Sequence, residues 1–114
     1  MAFVLDEKSS YKWPVRVEIP SDLGKHTVQT FNGEFKRVTQ TRIKEIAEQI
    51  DNNSITEIDL VSEIMVGWDS VNDEDGNPLQ FTKPNLNKLL DVPMVAGAIA
   101  KAFFDSIAGA RRKN

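Results

Sequence analysis

Segment 92–108 constrains the fold more than any other part of the chain. It is long enough for more than four helical turns, and its only clearly polar residues are Lys101, Asp105 and Ser106. A helix that is apolar nearly all round must lie in the centre of a core or be covered by a partner. A chain of 114 residues can bury such a helix only in part. Two interpretations therefore stay open, core alone or core plus an oligomer or client interface.

The first third of the chain has the pattern of a small antiparallel sheet. Alternating apolar residues predict a half-buried strand over 13–20, with prolines near its ends where a sheet tolerates them. β-type residues resume at 26–31 and 34–38, and Asn32-Gly33 between them predicts a tight turn or a bulge. We expect two or three strands here, preceded by an N-terminal arm.

Helical patterns fill the middle of the chain. Ile43, Ile46, Ala47 and Ile50 share one face, with Thr39 or Thr41 as the N-cap and residues 51–53 as the stop. Ser54 and Glu57 have capping-box spacing, and a stripe follows at Ile58, Val61, Ile64 and Met65.

The rest of the chain adds two more helices. Thr82-Lys83-Pro84 opens a short helix, and Asp91 is placed to cap the helix of 92–108. The predicted class is α+β, with a small N-terminal antiparallel β-hairpin or sheet followed by about four α-helices around an acidic loop. We expect a single domain over 1–114. It comprises an arm (1–12), a β-hairpin region (13–38), a helical region (39–109) and a basic tail (110–114).

Composition narrows the class of protein further. The chain has no cysteine, which excludes disulfides and thiolate chemistry and is compatible with a cytosolic protein. The chain has no stretch of about 20 uncharged apolar residues, so we expect no membrane span. The first residues also lack the pattern of a signal peptide. The pI of about 5.1 argues against a nucleic-acid partner.

Charge is distributed in three blocks. Residues 45–80 hold ten Asp and Glu and no Lys or Arg. Residues 1–44 hold eight Lys and Arg against five Asp and Glu, and residues 81–114 hold six against two. The blocks can pair within one fold, or they can favour self-association or a basic partner.

Catalytic and cofactor chemistry finds little support. His26 is the only histidine, so no second His and no Cys can share a metal or form a catalytic pair with it. Residues 71–82 have the length of a calcium-binding loop, but its first and twelfth positions need oxygen ligands, with a bidentate glutamate at the twelfth. These positions are Val71 and Thr82, so the loop does not fit. We expect no catalytic residue, no cofactor and no metal site, and we interpret the acidic loop as a solvated turn.

Three segments together resemble the tail assembly chaperones of long-tailed bacteriophages. They are Trp13-Pro14-Val15-Arg16-Val17 with Phe31 and Phe35-Lys36, the run 66–81 with its Gly-Trp-Asp and Asp-rich turn, and 85–93 with Phe103-Phe104. The resemblance covers most of the chain and is strongest over 66–104. It implies a non-enzymatic protein of the host bacterial cytoplasm, absent from the mature virion. Such proteins bind the helical tape-measure protein and keep it soluble and extended.

The resemblance also implies partners. They are the tape-measure client, further copies of the chain, and the tail tube protein through a longer product made by −1 frameshifting. Arg112-Lys113-Asn114 is compatible with a slippery heptamer in the gene. The alternative function is a structural head–tail connector or tail accessory protein retained in the virion. The candidate partner-binding residues are Trp68, Met94, Val95, Ile99, Phe103 and Phe104.

Overall fold

The fold joins a three-stranded antiparallel sheet to four α-helices, which confirms the predicted α+β class. The computed structural model describes residues 1–108. In chain order the elements are β1 (Ser10–Pro20), a 3₁₀ turn (Asp22–Gly24), β2 (His26–Lys36), α1 (Gln40–Asp51), α2 (Glu57–Ile64), β3 (Met65–Asp69), α3 (Lys83–Leu90) and α4 (Val95–Ala108). The proposed basic tail lies outside the described residues.

The sheet has the order β1-β2-β3, and its two long strands extend beyond the third. β1 and β2 pair along their whole length, from Ser10 opposite Lys36 to Pro20 opposite His26. β3 pairs only with the base of β2, from Asn32 to Phe35. The outer half of the hairpin therefore projects without a third strand, and residues 20–30 are all exposed.

The structure corrects two predictions about the strands. β1 begins at Ser10, three residues earlier than expected, because Ser10 pairs with Lys36. Asn32-Gly33 is neither a turn nor a bulge, since β2 runs straight through it and the bulge lies between Glu34 and Phe35. Gly33 serves close packing instead, because a Cβ there would lie 3.2 Å from the Met65 methyl carbon.

The helices follow the predicted starts with two exceptions. Thr39, one of the two predicted threonines, caps α1, and α3 begins at Lys83 as expected, with Thr82 as its cap. The capping box of α2 is formed by Thr56 and Asp59 rather than by the predicted Ser54 and Glu57. The helical stripe also ends one residue early, because Met65 leaves the helix and starts β3.

The last helix starts three residues later than predicted. Asp91 is not its N-cap but the C-cap of α3, where its N–H donates to the carbonyls of Asn87 and Leu89. Residues 92–94 form a turn, and Met94 has a φ of 80°, outside the helical region. α4 therefore begins at Val95.

The core is centred where the sheet meets α4. Phe35 of β2 and Phe103 of α4 are fully buried and meet edge to face, with ring centroids 5.6 Å apart. Tyr11 contacts the other side of Phe35 at 6.0 Å, and its hydroxyl lies 2.7 Å from the Ser106 Oγ. Ile46, Leu60, Val61 and Ile64 close the core from α1 and α2.

An ion pair fixes α1 against α2. The Arg42 guanidinium donates to both carboxylate oxygens of Glu63, at 2.7 Å each, and at 3.3 Å to Glu45. The hydrogen bonds that Arg42 donates to Glu63 hold the pKa of Glu63 below its ordinary value of 4.5, and the same bonds raise the pKa of Arg42. Two parallel bonds of this kind fix geometry as well as charge.

We expect Glu63→Gln to destabilise the fold more than Glu45→Gln, because Glu45 makes one longer bond and is more exposed. The Glu63 pKa is lowered in the folded state, so the carboxylate stabilises the fold above pH 4.5 and loses this effect as the pH falls through the folded-state pKa. Urea midpoints of the wild type and Glu63→Gln should therefore differ at pH 7 and converge at acidic pH. A constant difference across this range would contradict the assignment.

Candidate functional site

An open groove lies between β1 and α4. Its volume is about 1030 Å³. One wall is β1, from Trp13 to Glu18, and the other is α4, from Ala96 to Asp105. The start of α2 and the turn after α3 also line it. The groove is therefore built by four segments that are far apart in the sequence.

The residues of α4 that line the groove are mostly small, so few side-chain atoms project from the helix there. Ala96, Gly97, Ala98 and Ala102 all line it. A Cβ on Gly97 would lie 3.2 Å from a carboxylate oxygen of Glu57, so the two helices approach closely here. Small side chains let a partner's backbone or side chains come near the helix.

Exposed apolar side chains border the groove. Ile58 at the start of α2 is 47% exposed, and Val92 and Met94 in the turn before α4 are 39% and 52% exposed. Single exposed apolar residues are ordinary, but these three line one concave surface. The groove can therefore shield apolar surface of a partner as well as its own.

The charges that line the groove are mostly acidic. Two ion pairs lie along it, Arg16–Glu18 at 3.5 Å and Lys101–Asp105 at 2.9 Å. Glu57 and Asp91 also line the groove and have no ion-pair partner within residues 1–108. The local field therefore favours a partner that carries positive charge.

The predicted partner-binding residues fall into three environments. Val95, Ile99 and Phe103 are buried in the core and support α4 from inside. Met94 is exposed at the groove. Phe104 is partly buried and packs edge to face on Phe103, with centroids 5.4 Å apart. The structure thus brings Met94 to the groove and places the buried three behind it.

Trp68 has a different position, away from the groove lining. Its indole Nε1 donates to the carbonyl of Leu79 at 2.7 Å, and its ring meets Phe81 edge to face at 4.8 Å. These contacts hold the segment that follows the acidic loop against β3. The side chain remains partly exposed.

The acidic loop is a hydrogen-bonded turn. The Asp73 carboxylate accepts from the backbone N–H groups of Asp75 and Asn77, and the Asp73 N–H donates to the Asn77 carbonyl. No group of three or more His, Asp or Glu within residues 1–108 is arranged to hold a metal ion. Over the same residues, no helix is both long and apolar enough to cross a membrane.

Sequence reasoning missed most of the groove. The apolar stripe that contains Ile58 predicts a core-facing side chain, yet Ile58 is 47% exposed and lines the groove. One available signal was the run of small residues from Ala96 to Ala98, which leaves one side of α4 without bulk. Which segments come to face that side depends on tertiary packing.

An apolar-bordered groove with a floor of small residues is a surface suited to a protein partner. Such a surface is typical of the class of proteins that act by binding other proteins. Comparison with family models identifies this protein further: the phage tail assembly chaperone model matches residues 1–114, and the chain belongs to this family. Such a chaperone has a tail protein as its client and acts in the host cell. Curated proteins and solved structures gave no significant match.

The two phenylalanines of α4 should separate the buried side of the helix from its outer side. Phe103→Ala is expected to cost about 3–5 kcal/mol, because it empties the centre of the core. Phe104→Ala is expected to cost about 1–2 kcal/mol, because the ring is only partly buried. Urea unfolding of both variants measures the difference, and equal losses would contradict the described orientation of α4.

Proposed function

We propose that the protein is a non-enzymatic chaperone that binds the tape-measure protein and keeps it soluble and extended while the tail tube assembles. Membership of the family supports the general role. The apolar-bordered groove between β1 and α4 is the observation that carries the specific proposal. A tape-measure protein is long and helical with apolar faces, so it needs partners that cover those faces before the tube does.

The shape of the groove supports a helical client. An amphipathic helix binds by placing its apolar face into a concave, apolar surface. Ala98 and Ala102 are four residues apart on α4, which leaves a shallow strip along the helix for the client to approach. Ile58, Val92 and Met94 are placed to contact the client's apolar side chains along the edges of this strip.

The charges support a client segment with basic residues beside its apolar face. Glu57, the first residue of α2, and Asp91, the C-cap of α3, both line the groove. A lysine or arginine of the client placed there would gain an ion pair without breaking one, since neither carboxylate has an ion-pair partner within the described part of the chain. The groove would therefore select the direction in which the client helix binds, as well as an apolar client face.

The remaining features of the proposal come from the resemblance to the family. We propose that several copies coat one client, and that a longer frameshifted product also contacts the tail tube protein. We place this activity in the host cytoplasm and expect the protein to be absent from the finished particle. Codons 112–114 and the downstream −1 reading frame test the frameshift directly.

The test uses two isoleucines with matched exposure. Ile58→Ser removes an apolar side chain from the groove, whereas Ile50→Ser removes one of similar exposure from α1, away from the groove lining. Each variant is co-expressed with the tape-measure protein, and co-purification and client solubility are measured. Losing the burial of one isoleucine should weaken binding on the order of tenfold or more for Ile58→Ser. Ile50→Ser should bind like the wild type.

Two results would count against the proposal. If Ile58→Ser and Ile50→Ser bind the client equally well, the groove is not the client site. If the wild type neither solubilises the tape-measure protein nor co-purifies with it, the client assignment is wrong. Mass spectrometry of purified particles would then show whether the chain is a retained connector or tail accessory protein.

A further inference from the structure

The outer half of β2 has a strand on one side only. β3 pairs no further out than Asn32, so along residues 26–30 the described chain places no strand beside the outer edge of β2. The backbone N–H and C=O groups of such an edge are a template for another strand. Both faces of the hairpin are also exposed here, and Val28 is 45% exposed.

The two edges of the sheet differ in how they are protected. β1 carries Pro14, Pro20 and the charged residues Lys12, Arg16 and Glu18. Prolines and charges are the features that discourage strand addition at an edge. Residues 26–30 have the sequence His-Thr-Val-Gln-Thr, with no proline and no Asp, Glu, Lys or Arg. The β1 edge is thus guarded and the outer β2 edge is open.

A second unpartnered feature lies at the start of the described chain. Residues 1–5 are Met-Ala-Phe-Val-Leu, and Phe3, Val4 and Leu5 are 90%, 76% and 77% exposed. Within residues 1–108 these side chains remain largely exposed, although burying them is favourable. The root of this apolar arm is held at the hairpin base, because Asp6 accepts from the Ser9 N–H and hydroxyl and Arg37 donates to Ser9.

We propose that the apolar arm of one copy adds as a strand to the open edge of β2, residues 26–30, in a second copy. The arm (residues 1–5) and the edge (residues 26–30) each contain five residues. Because side chains alternate along a strand, the arm would place some side chains next to Phe31 on the inner face of the sheet and the others next to Val28 on the outer face. One contact thus covers both the exposed arm and the open edge.

In its own chain the arm cannot lie along the whole of this edge, because Leu5 cannot reach Thr30. Thr30 lies opposite Arg16, six residues along β1 from Ser10, which is roughly 20 Å. The outer edge of β2 lies about 10 Å to the side, two strand spacings away, which makes the path roughly 22 Å. Five residues from Ser10 back to Leu5 span at most about 18 Å, and the turn at Asp6 shortens that reach.

The contact joins two different surfaces, so it is heterologous and each copy keeps a free arm or a free edge for the next one. It therefore predicts a series of copies rather than a closed pair. The inference depends on the arm and the edge alone and does not depend on the client groove. Its test accordingly uses the protein without any tape-measure protein.

Cysteine cross-linking tests the proposal, because the natural chain has no cysteine. Val4→Cys and Leu5→Cys are each combined with Val28→Cys in one chain and oxidised. Adjacent arm residues point to opposite faces, so one combination should give a ladder of disulfide-linked oligomers and the other should give about tenfold less. The control is Glu18→Cys in place of Val28→Cys. Glu18 lies directly opposite Val28 on the guarded strand, one strand too far from the arm for a disulfide.

Three results would overturn the proposal. They are equal ladders for Val28→Cys and Glu18→Cys, a disulfide closed within one chain, and no cross-linking at all. A second measurement uses the protein without introduced cysteines and shows whether a variant is still folded. Phe3→Asp should lower the association constant, measured by analytical ultracentrifugation, by about tenfold or more. Its thermal unfolding midpoint should be unchanged. Val66→Asp, at an exposed position in β3, should leave association unchanged.

Discussion

The edge-to-face contact between Phe35 and Phe103 holds this fold together. Phe35 lies at the base of β2, where all three strands are present, and Phe103 lies in the second half of α4. Their contact joins residues 68 positions apart and fixes the distance between the sheet and the last helix. Tyr11 extends the same aromatic row to β1 and through its hydroxyl to Ser106. These contacts hold β1 and α4, the two walls of the groove, in position relative to each other.

The same contact explains why α4 has apolar residues nearly all round. Its buried face carries Val95, Ile99 and Phe103, which the core requires. The neighbouring face carries alanines and Gly97, which leave the groove open and let Glu57 approach. In α4, therefore, large side chains pack in the core and small side chains line the groove. Of the two interpretations of segment 92–108, we propose the second, core plus an interface, since one side is core and the other lines a groove for which we propose a partner.

Local signals predicted what depends on local chemistry. Thr39 and Thr82 were identifiable as caps because capping is settled within one turn. β3 could not be predicted because five residues after a helix form a strand only when β2 offers an edge. Asp91 was placed at the wrong helix because its side chain suits an N-cap, while the backbone of α3 continues as far as Asp91. Met94 was predicted as a contact residue, but Ile58 and Val92 join it only through packing of α2 and α3 against α4.

The two proposed surfaces are compatible in one molecule. The groove follows β1 and α4, whereas the open edge belongs to the far side of β2, so the paired strands of the hairpin separate them. A copy can therefore hold a client helix while its β2 edge accepts the arm of a neighbour. Arm-to-edge pairing would repeat the groove at regular intervals, which is the arrangement that covering a long helical client demands. A guarded β1 edge then has a clear purpose, since a strand added there would crowd the groove wall formed by Trp13, Arg16 and Glu18.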